Sequence, residues 1–298
     1  MIYTVTLNPA IDYVVQLDLP LTAGTINRSC QEDYQFGGKG INVSNMLRTL
    51  GQDTIALGFV AGFTGQGLEL GLQKMGLATD FIHLSQGCTR INLKAKGQEE
   101  TEINGSGPHI SSQDMDALYD RLDKLTSNDI LVLSGSVPRG LTTEVYAQIL
   151  RHLQTKNILT VVDAAGALLT NTLTYHPFLI KPNRQELEAI FYTQLHNDQQ
   201  IAACAAKLQQ QGARNVLVSL AGDGALLLDE TGVTHRLPCP SGHVINSVGA
   251  GDSMIAGFLA GWQQTGRYEE ALKLGVAAGS ATAFSLGLAD RAAIESLL

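Results

Sequence analysis

The segment NSVGAGDSMIAGFLAGW (246–262) sets a bend of small residues directly against a helix. Gly249, Ala250 and Gly251 strip the bend of side chains, and Asp252 follows at once. Met254, Ile255, Phe258, Leu259 and Trp262 then recur at the spacing of one helix face. Main-chain amides at a helix start converge on one spot and carry the positive end of the helix dipole, so the bend reads as a nest for an anion. The carboxylate at its rim has two readings. Asp252 is a base beside an oxyanion site, the pairing that phosphoryl transfer uses, and a pKa of about 4 suffices for it because that transition state is loose. Alternatively, it is a helix-start acid interacting with the dipole.

Outward from this bend, near-continuous apolar runs alternate with helical periods. The runs MIYTVTL (1–7), DTIALGFV (53–60), DILVLSG (129–135), NILTVVDA (157–164), PFLIKPN (177–183) and NVLVSLAGDGALLLD (215–229) read as strands covered on both faces. Between them, 112–126, 142–155 and 198–211 carry apolar residues on one helix face, and the last stops at Gly212. The alternation predicts an α/β fold, doubly wound around a mostly parallel sheet with helices on both faces. Residues 11–36 and 86–104 break the pattern with period-two alternation. They read as hairpins of a small β-sheet lid carried on a single domain spanning 1–298, or else as solvent-facing loops.

Of the 298 residues, 44% are hydrophobic and 16% charged, enough for a sizeable core, and 31 glycines suit many tight strand-to-helix turns. A net charge of −8 argues against a general nucleic-acid or membrane-surface binder, and leaves open an anionic small substrate held by a local basic pocket. Cys30, Cys88, Cys204 and Cys239 form no C-x-x-C, no histidine pair has metal-ligand spacing, and the expectation is four reduced thiols in the cytoplasm. The opening MIYTVTLNPAID lacks the basic region of a signal peptide, and no apolar run approaches the roughly 20 residues of a membrane span. There is no internal repeat and no low-complexity tract.

Two further glycine-rich turns compete with the first. FGGKGINVSNML (36–47) opens a helix, and Lys39 adds a full charge to its anion-binding start. It is not a Walker A loop, because residue 33 is Asp and residue 40 is Gly. In GFVAGFTGQGLELGLQKMG (58–76), Gly65, Gly67 and Gly71 loosely follow a dinucleotide fingerprint, but the spacing is wrong and no acid is placed for a ribose. Helix–strand packing is the default reading there, and a nicotinamide oxidoreductase the rival one.

With GGKGINVSNMLRTLG near the start and NSVGAGDSMIAGFLAG near the end, the chain resembles the ribokinase-like PfkB carbohydrate kinases over essentially its full length. TVTLNPAIDY, TRINLK, TEINGSGP, SGSVP and KPNRQELE are similar to the branch acting on fructose 1-phosphate, and the tagatose 6-phosphate branch shares several of them. The resemblance implies a kinase that uses ATP and Mg²⁺ to phosphorylate the 6-hydroxyl of fructose 1-phosphate, with tagatose 6-phosphate or fructose 6-phosphate as alternative substrates. It implies Asp252 as base and Gly249, Ala250 and Gly251 as anion hole. Asp12, Gly37, Gly38, Lys39 and Asn42 would line the sugar site, Arg90 and Lys39 would hold the sugar's phosphate, and Ser134 and Ser136 would sit near the reacting groups. Asn183 and Glu186 would act through water on Mg²⁺, with Lys181 nearby, and Ser219, Gly222, Asp223 and Gly224 would border the nucleotide. Asn183 and Glu186 also have the spacing of a capping box, and Arg90 alone could be a surface ion pair. Pairing of two copies through the lid is a further implication. A non-catalytic sugar-phosphate sensor is the rival of another class, and the presence of Asp252 with its nest disfavours it.

Overall fold

The computed structural model describes residues 1–298. The chain opens with strands β1 (Ile2–Thr6), β2 (Ala10–Leu17) and β3 (Ser29–Gly37), then helix α1 (Lys39–Thr49), β4 (Thr54–Ala61), α2 (Gly62–Lys74) and β5 (Ala78–Leu84). The hairpin β6 (Arg90–Lys96) and β7 (Glu100–Asn104) precedes α3 (Ser112–Leu122), β8 (Ile130–Ser134), α4 (Val145–His152), β9 (Leu159–Asp163) and the short α5 (Ala167–Thr170). Next come β10 (Leu179–Ile180), α6 (Arg184–Phe191), α7 (Asp198–Gln210), β11 (Asn215–Ser219), β12 (Ala225–Leu228) and β13 (Thr234–Leu237). The chain ends in α8 (Ala250–Thr265), α9 (Tyr268–Ala283) and α10 (Arg291–Glu295).

Nine strands form the main sheet in the order β13-β12-β11-β10-β9-β8-β1-β4-β5, parallel from β11 to β5 and antiparallel at β12 and β13. Alternate strand residues feed two cores. Val5, Leu131, Leu133, Val162 and Val218 pack with α3, α4, α6 and α7 on one face, while Ile2, Val132, Val161 and Leu217 meet α1, α8, α9 and α10 on the other. The chain winds outward from β1 in both directions, so a switch point lies between β1 and β8. In open α/β sheets the ligand crevice forms there, beyond the carboxyl ends of the strands.

The second sheet has the order β3-β2-β6-β7 and joins the two period-two stretches through parallel pairing of β2 with β6. Its register puts Asp12, Asn92 and Asn104 in one row and Lys94 and Glu102 in the next, all on one face. Ile11, Phe36, Tyr13, Tyr34, Leu93 and Ile103 occupy the opposite, apolar face.

Two strand readings are corrected. Residues 215–229 are not one strand but the hairpin β11–β12, because residues 221–223 form a 3₁₀ turn closed by Gly224 at φ 92°. A Cβ there would meet the Leu237 carbonyl oxygen at 2.2 Å, so only glycine fits. Of 177–183, only Leu179–Ile180 is strand, since Pro177 and Pro182 bracket it. Edge strands β5 and β13 carry weaker apolar patterns and escape the sequence reading. No helix is long and apolar enough to cross a membrane, and all four cysteines are free.

Candidate active site

Beyond the carboxyl ends of β1, β8 and β9 lies a polar cavity of about 570 Å³, with only two hydrophobic residues among the 23 lining it. Thr6 ends β1 and Asn8 follows it, Gly135 and Ser136 follow β8, and Asp163 ends β9. The start of α1 supplies Gly38, Lys39 and Asn42, the second sheet supplies Asp12, Arg90, Asn92 and Lys94, and the start of α8 supplies Gly249, Gly251 and Asp252. A smaller, mostly apolar slot of about 150 Å³ adjoins it, sharing Ser219 and Gly251. Gly222, Gly224, Ala250, Met254, Val276 and Phe284 line that slot.

Asp252 sits in the first turn of α8, 5% exposed, with its carboxylate at the polar cavity. Asn42 Nδ2, on the facing helix α1, donates to its Oδ2 at 2.8 Å. Its pKa is not the ordinary one expected from the sequence. Burial, then the charge of nearby Asp163, push it up to about 6, against the pull of Asn42, Lys39 and Lys181. Gly249 takes a left-handed φ of 81° to make the bend. The anion nest is narrower than the sequence suggests, because the Ala250 amide donates to the Ser247 carbonyl at 3.2 Å. The Gly251 and Asp252 amides make no hydrogen bond within the chain. Lys181 bears on the same spot: a Cβ on Gly251 would lie 3.0 Å from its Nζ.

Asp163 is the residue the sequence reading missed. It is 1% exposed, and two ammonium groups bracket it: Lys39 Nζ donates to Oδ2 at 3.2 Å, and Lys181 Nζ lies 3.3 Å from Oδ1. Burial alone would raise its pKa, but Lys181 and Lys39 outweigh burial and hold it below the usual carboxylate range. Lys39 is driven the other way: desolvation lowers its pKa, and the charges of Asp163 and Asp252 more than reverse that. An acid closing the apolar run LTVVD was the available signal, since a charge at the end of a buried strand needs a partner.

In the second sheet, Asp12 Oδ1 accepts from Asn92 Nδ2 at 2.7 Å. Gly37 makes room for it, because a Cβ there would meet Asp12 Oδ2 at 2.6 Å. Arg90 Nε donates to the Asn8 carbonyl at 3.1 Å, and no carboxylate approaches the guanidinium within 4.0 Å.

The remaining expected positions divide. Ser136 and Asn183 line the polar cavity, and Ser219 lines both cavities. Ser134 is fully buried behind the cavity, and its hydroxyl has no partner. Asp223 lies away from both cavities, in a surface ion pair with Arg184 at 2.8 Å. Asn183 and Glu186 do form a capping box: Asn183 Oδ1 accepts from the Glu186 amide and Glu186 Oε2 from the Asn183 amide, each at 2.8 Å. Gly65 and Gly71 are packing glycines. A Cβ on Gly65 would lie 3.0 Å from Val60 Cβ, and one on Gly71 only 2.0 Å from the Phe36 ring.

A buried carboxylate able to accept a proton, unspent amides and two ammonium groups beside it, and a polar cavity opening on an apolar slot together suit a phosphotransferase with a hydroxyl group as acceptor. Comparison with known proteins gives the same class: the sequence profile of the pfkB family carbohydrate kinases matches residues 5–294, and the chain belongs to that family. Over 298 residues it is 44% identical to 1-phosphofructokinase from Bacillus subtilis, covering 100% of this chain and 97% of the relative. It is 40% identical to D-tagatose-1-phosphate kinase from Bacillus licheniformis, covering 97% and 95%. Among solved structures, phosphofructokinase-2 from Escherichia coli superposes with a TM-score of 0.91 at 28% identity, covering 99% of this chain and 97% of that one, both in complex with fructose-6-phosphate and in a tetrameric inhibited form. The fold is therefore ribokinase-like, and the protein is a carbohydrate kinase. Sugar kinases of this family take ATP as phosphate donor.

Proposed function

We propose that the protein transfers the terminal phosphoryl group of ATP to the 6-hydroxyl of fructose 1-phosphate, giving fructose 1,6-bisphosphate and ADP. The observation that carries this reading is Asp252, buried, lining the polar cavity and held by Asn42, beside amides with no partner in the chain. In the transfer, the hydroxyl proton passes to the Asp252 carboxylate. The new O–P bond forms as the bond to the ADP oxygen breaks. The Gly251 and Asp252 amides with Lys39 and Lys181 hold the charge on the moving group. Asp12 takes sugar hydroxyls, and Arg90, free of carboxylates, takes the phosphate already on the sugar. The apolar slot with Ser219, Gly222 and Gly224 takes the base end of ATP.

Mg²⁺ fits Asn183 and Glu186. The cap uses one lone pair of Asn183 Oδ1 and one Glu186 oxygen, leaving the other Oδ1 lone pair and the second Glu186 oxygen to accept from waters on the ion. A small divalent ion keeps several waters and takes phosphate oxygens as ligands, so two water-mediated protein contacts suffice. When bound, it neutralises charge on the nucleotide phosphates.

The second sheet acts as a lid that closes over the sugar and excludes water. Two copies pair through its outer face, where Tyr34, Ile91 and Ile103 are 62%, 46% and 61% exposed. Sedimentation velocity should show a dimer that Ile103→Lys dissociates, and a wild-type monomer at all concentrations rejects the pairing.

The similarity to the tagatose-1-phosphate enzyme favours a second reading, in which the sugar is a tagatose phosphate. A coupled ADP-release assay over fructose 1-phosphate, tagatose 1-phosphate, tagatose 6-phosphate and fructose 6-phosphate tests both. The highest kcat/KM is expected with fructose 1-phosphate. A higher value with another sugar moves the assignment to that sugar, and no ADP release with any supports the non-catalytic sensor.

A further inference from the structure

The motif TRINLK contains a second cation that the reading above leaves unused. Residues 90, 92 and 94 project from the same face of β6, about 6.6 Å apart in turn. Arg90 and Lys94 therefore flank Asn92, which holds Asp12. Lys94 lines the polar cavity with only 12% of its side chain exposed. Its Nζ lies 3.8 Å from Asp12 and 3.7 Å from Glu102, beyond hydrogen-bond distance, so none of its three donors is spent within the chain.

The next rung of the same ladder shows what a plain surface pair looks like. Lys96 and Glu100 approach to 3.8 Å with side chains 41% and 53% exposed, outside the polar cavity. Lys94 repeats that pairing in a recessed place, where an ammonium with open donors favours an anion that can approach it directly. The cavity's other two lysines already bracket Asp163. Lys94, with its carboxylates at 3.7 and 3.8 Å against 3.2 and 3.3 Å for the other two, is thus the most loosely paired lysine of the cavity and the one that can join Arg90 at least cost.

We propose that Lys94 is a specificity-determining residue: with Arg90 it holds the phosphate already carried by the ketose, and Glu102 is the stand-in anion that the phosphate displaces. The inference rests on the reading of the cavity as a sugar-phosphate site. Glu102 is 42% exposed, and apart from Lys94 only a long hydrogen bond from Asn104 Nδ2, at 3.5 Å, restrains it from turning towards solvent when the phosphate arrives.

The test uses the full-length enzyme, with fructose 1-phosphate binding followed by calorimetry and turnover by ADP release. Lys94→Gln should weaken fructose 1-phosphate binding and raise its KM by about 10- to 100-fold, the value of a charge-assisted contact. The KM for ATP should change less than about threefold, and Lys94→Arg should recover most of the loss. Glu102→Gln should leave affinity unchanged or tighten it, because the competing carboxylate is gone. Lys96→Gln should do nothing. Wild-type affinity in Lys94→Gln overturns the proposal, and so does a Glu102→Gln variant weakened as much as Lys94→Gln, which would make the pair purely structural. If the wild type turns over another ketose phosphate instead, the substrate assignment fails, and the same variants decide the role of Lys94 on that sugar.

Discussion

The end of β9 and the first turn of α8 each bury a carboxylate against the same cavity, and the two are pushed in opposite directions. Asp163 is bracketed by Lys39 and Lys181 and held below the usual carboxylate range. Burial, then the like charge of Asp163, push Asp252 up to about 6, with a neutral amide as its nearest partner. Burial is nearly equal, 1% and 5% exposed, so burial does not account for the opposite directions of the two shifts. The neighbours do. One acid anchors cations; the other has its pKa raised towards neutrality, which suits the general base proposed for it.

The contrast breaks most visibly at Asp252. Asp252→Asn keeps the shape and removes the proton acceptor, so kcat should fall by about 10²- to 10⁴-fold with ligand binding largely intact. Near-normal turnover in steady-state assays removes Asp252 as the base. The companion change, Asp163→Asn, should act on folding. It leaves the buried Lys181 ammonium without its partner and should cost about 3–5 kcal/mol in urea unfolding. A change below about 1 kcal/mol would mean that the two lysines find other partners.

A smaller effect has the opposite sign. The folded pKa of Asp252, about 6, lies above its unfolded value, which is about 3.9. The folded state therefore binds more protons between those values, and this residue's contribution to stability falls as pH rises from about 4 to about 6. Asp252→Asn removes that penalty and should stabilise the protein at pH 7, on the order of 2–3 kcal/mol. Unfolding midpoints at pH 7 that match the wild type would show that the carboxylate is not destabilised by its site. The smallest shift belongs to Asn42. Its hydrogen bond favours the charged form of Asp252, so Asn42→Ala should move the acidic limb of kcat/KM, centred near 6 in the wild type, upward by about one pH unit. The ionisation of the sugar phosphate is common to both enzymes and cancels. An unmoved limb means that Asn42 does not set the charge of the base.

Much of this arrangement is legible in the chain. The apolar runs, the helical periods and the glycine bend at 249–251 give the α/β class, because each depends on residues within one or two turns of one another. The capping box at Asn183 and Glu186 is local in the same way. Other features are out of reach. Residues 215–229 read as one strand until Gly224 must turn beneath Leu237, a contact made by β13. Asp163 looks like the polar end of an apolar strand until Lys39, 124 residues earlier, closes on it. Asn42 reads as a sugar-site residue, and its hydrogen bond to Asp252, 210 residues later in the chain, is a contact that the string of letters does not record.

By itself the sequence determined the alternation of strand and helix, the position of the glycine bend and the residue types available for chemistry. Periodicity and backbone freedom are properties of neighbouring residues, and a string of letters records neighbours. Only the tertiary structure decided which acid has its pKa raised and which lowered, which amides remain unspent, and which lysine is most loosely paired, because those outcomes follow from electrostatic fields and hydrogen bonds between segments that meet only when the sheet closes.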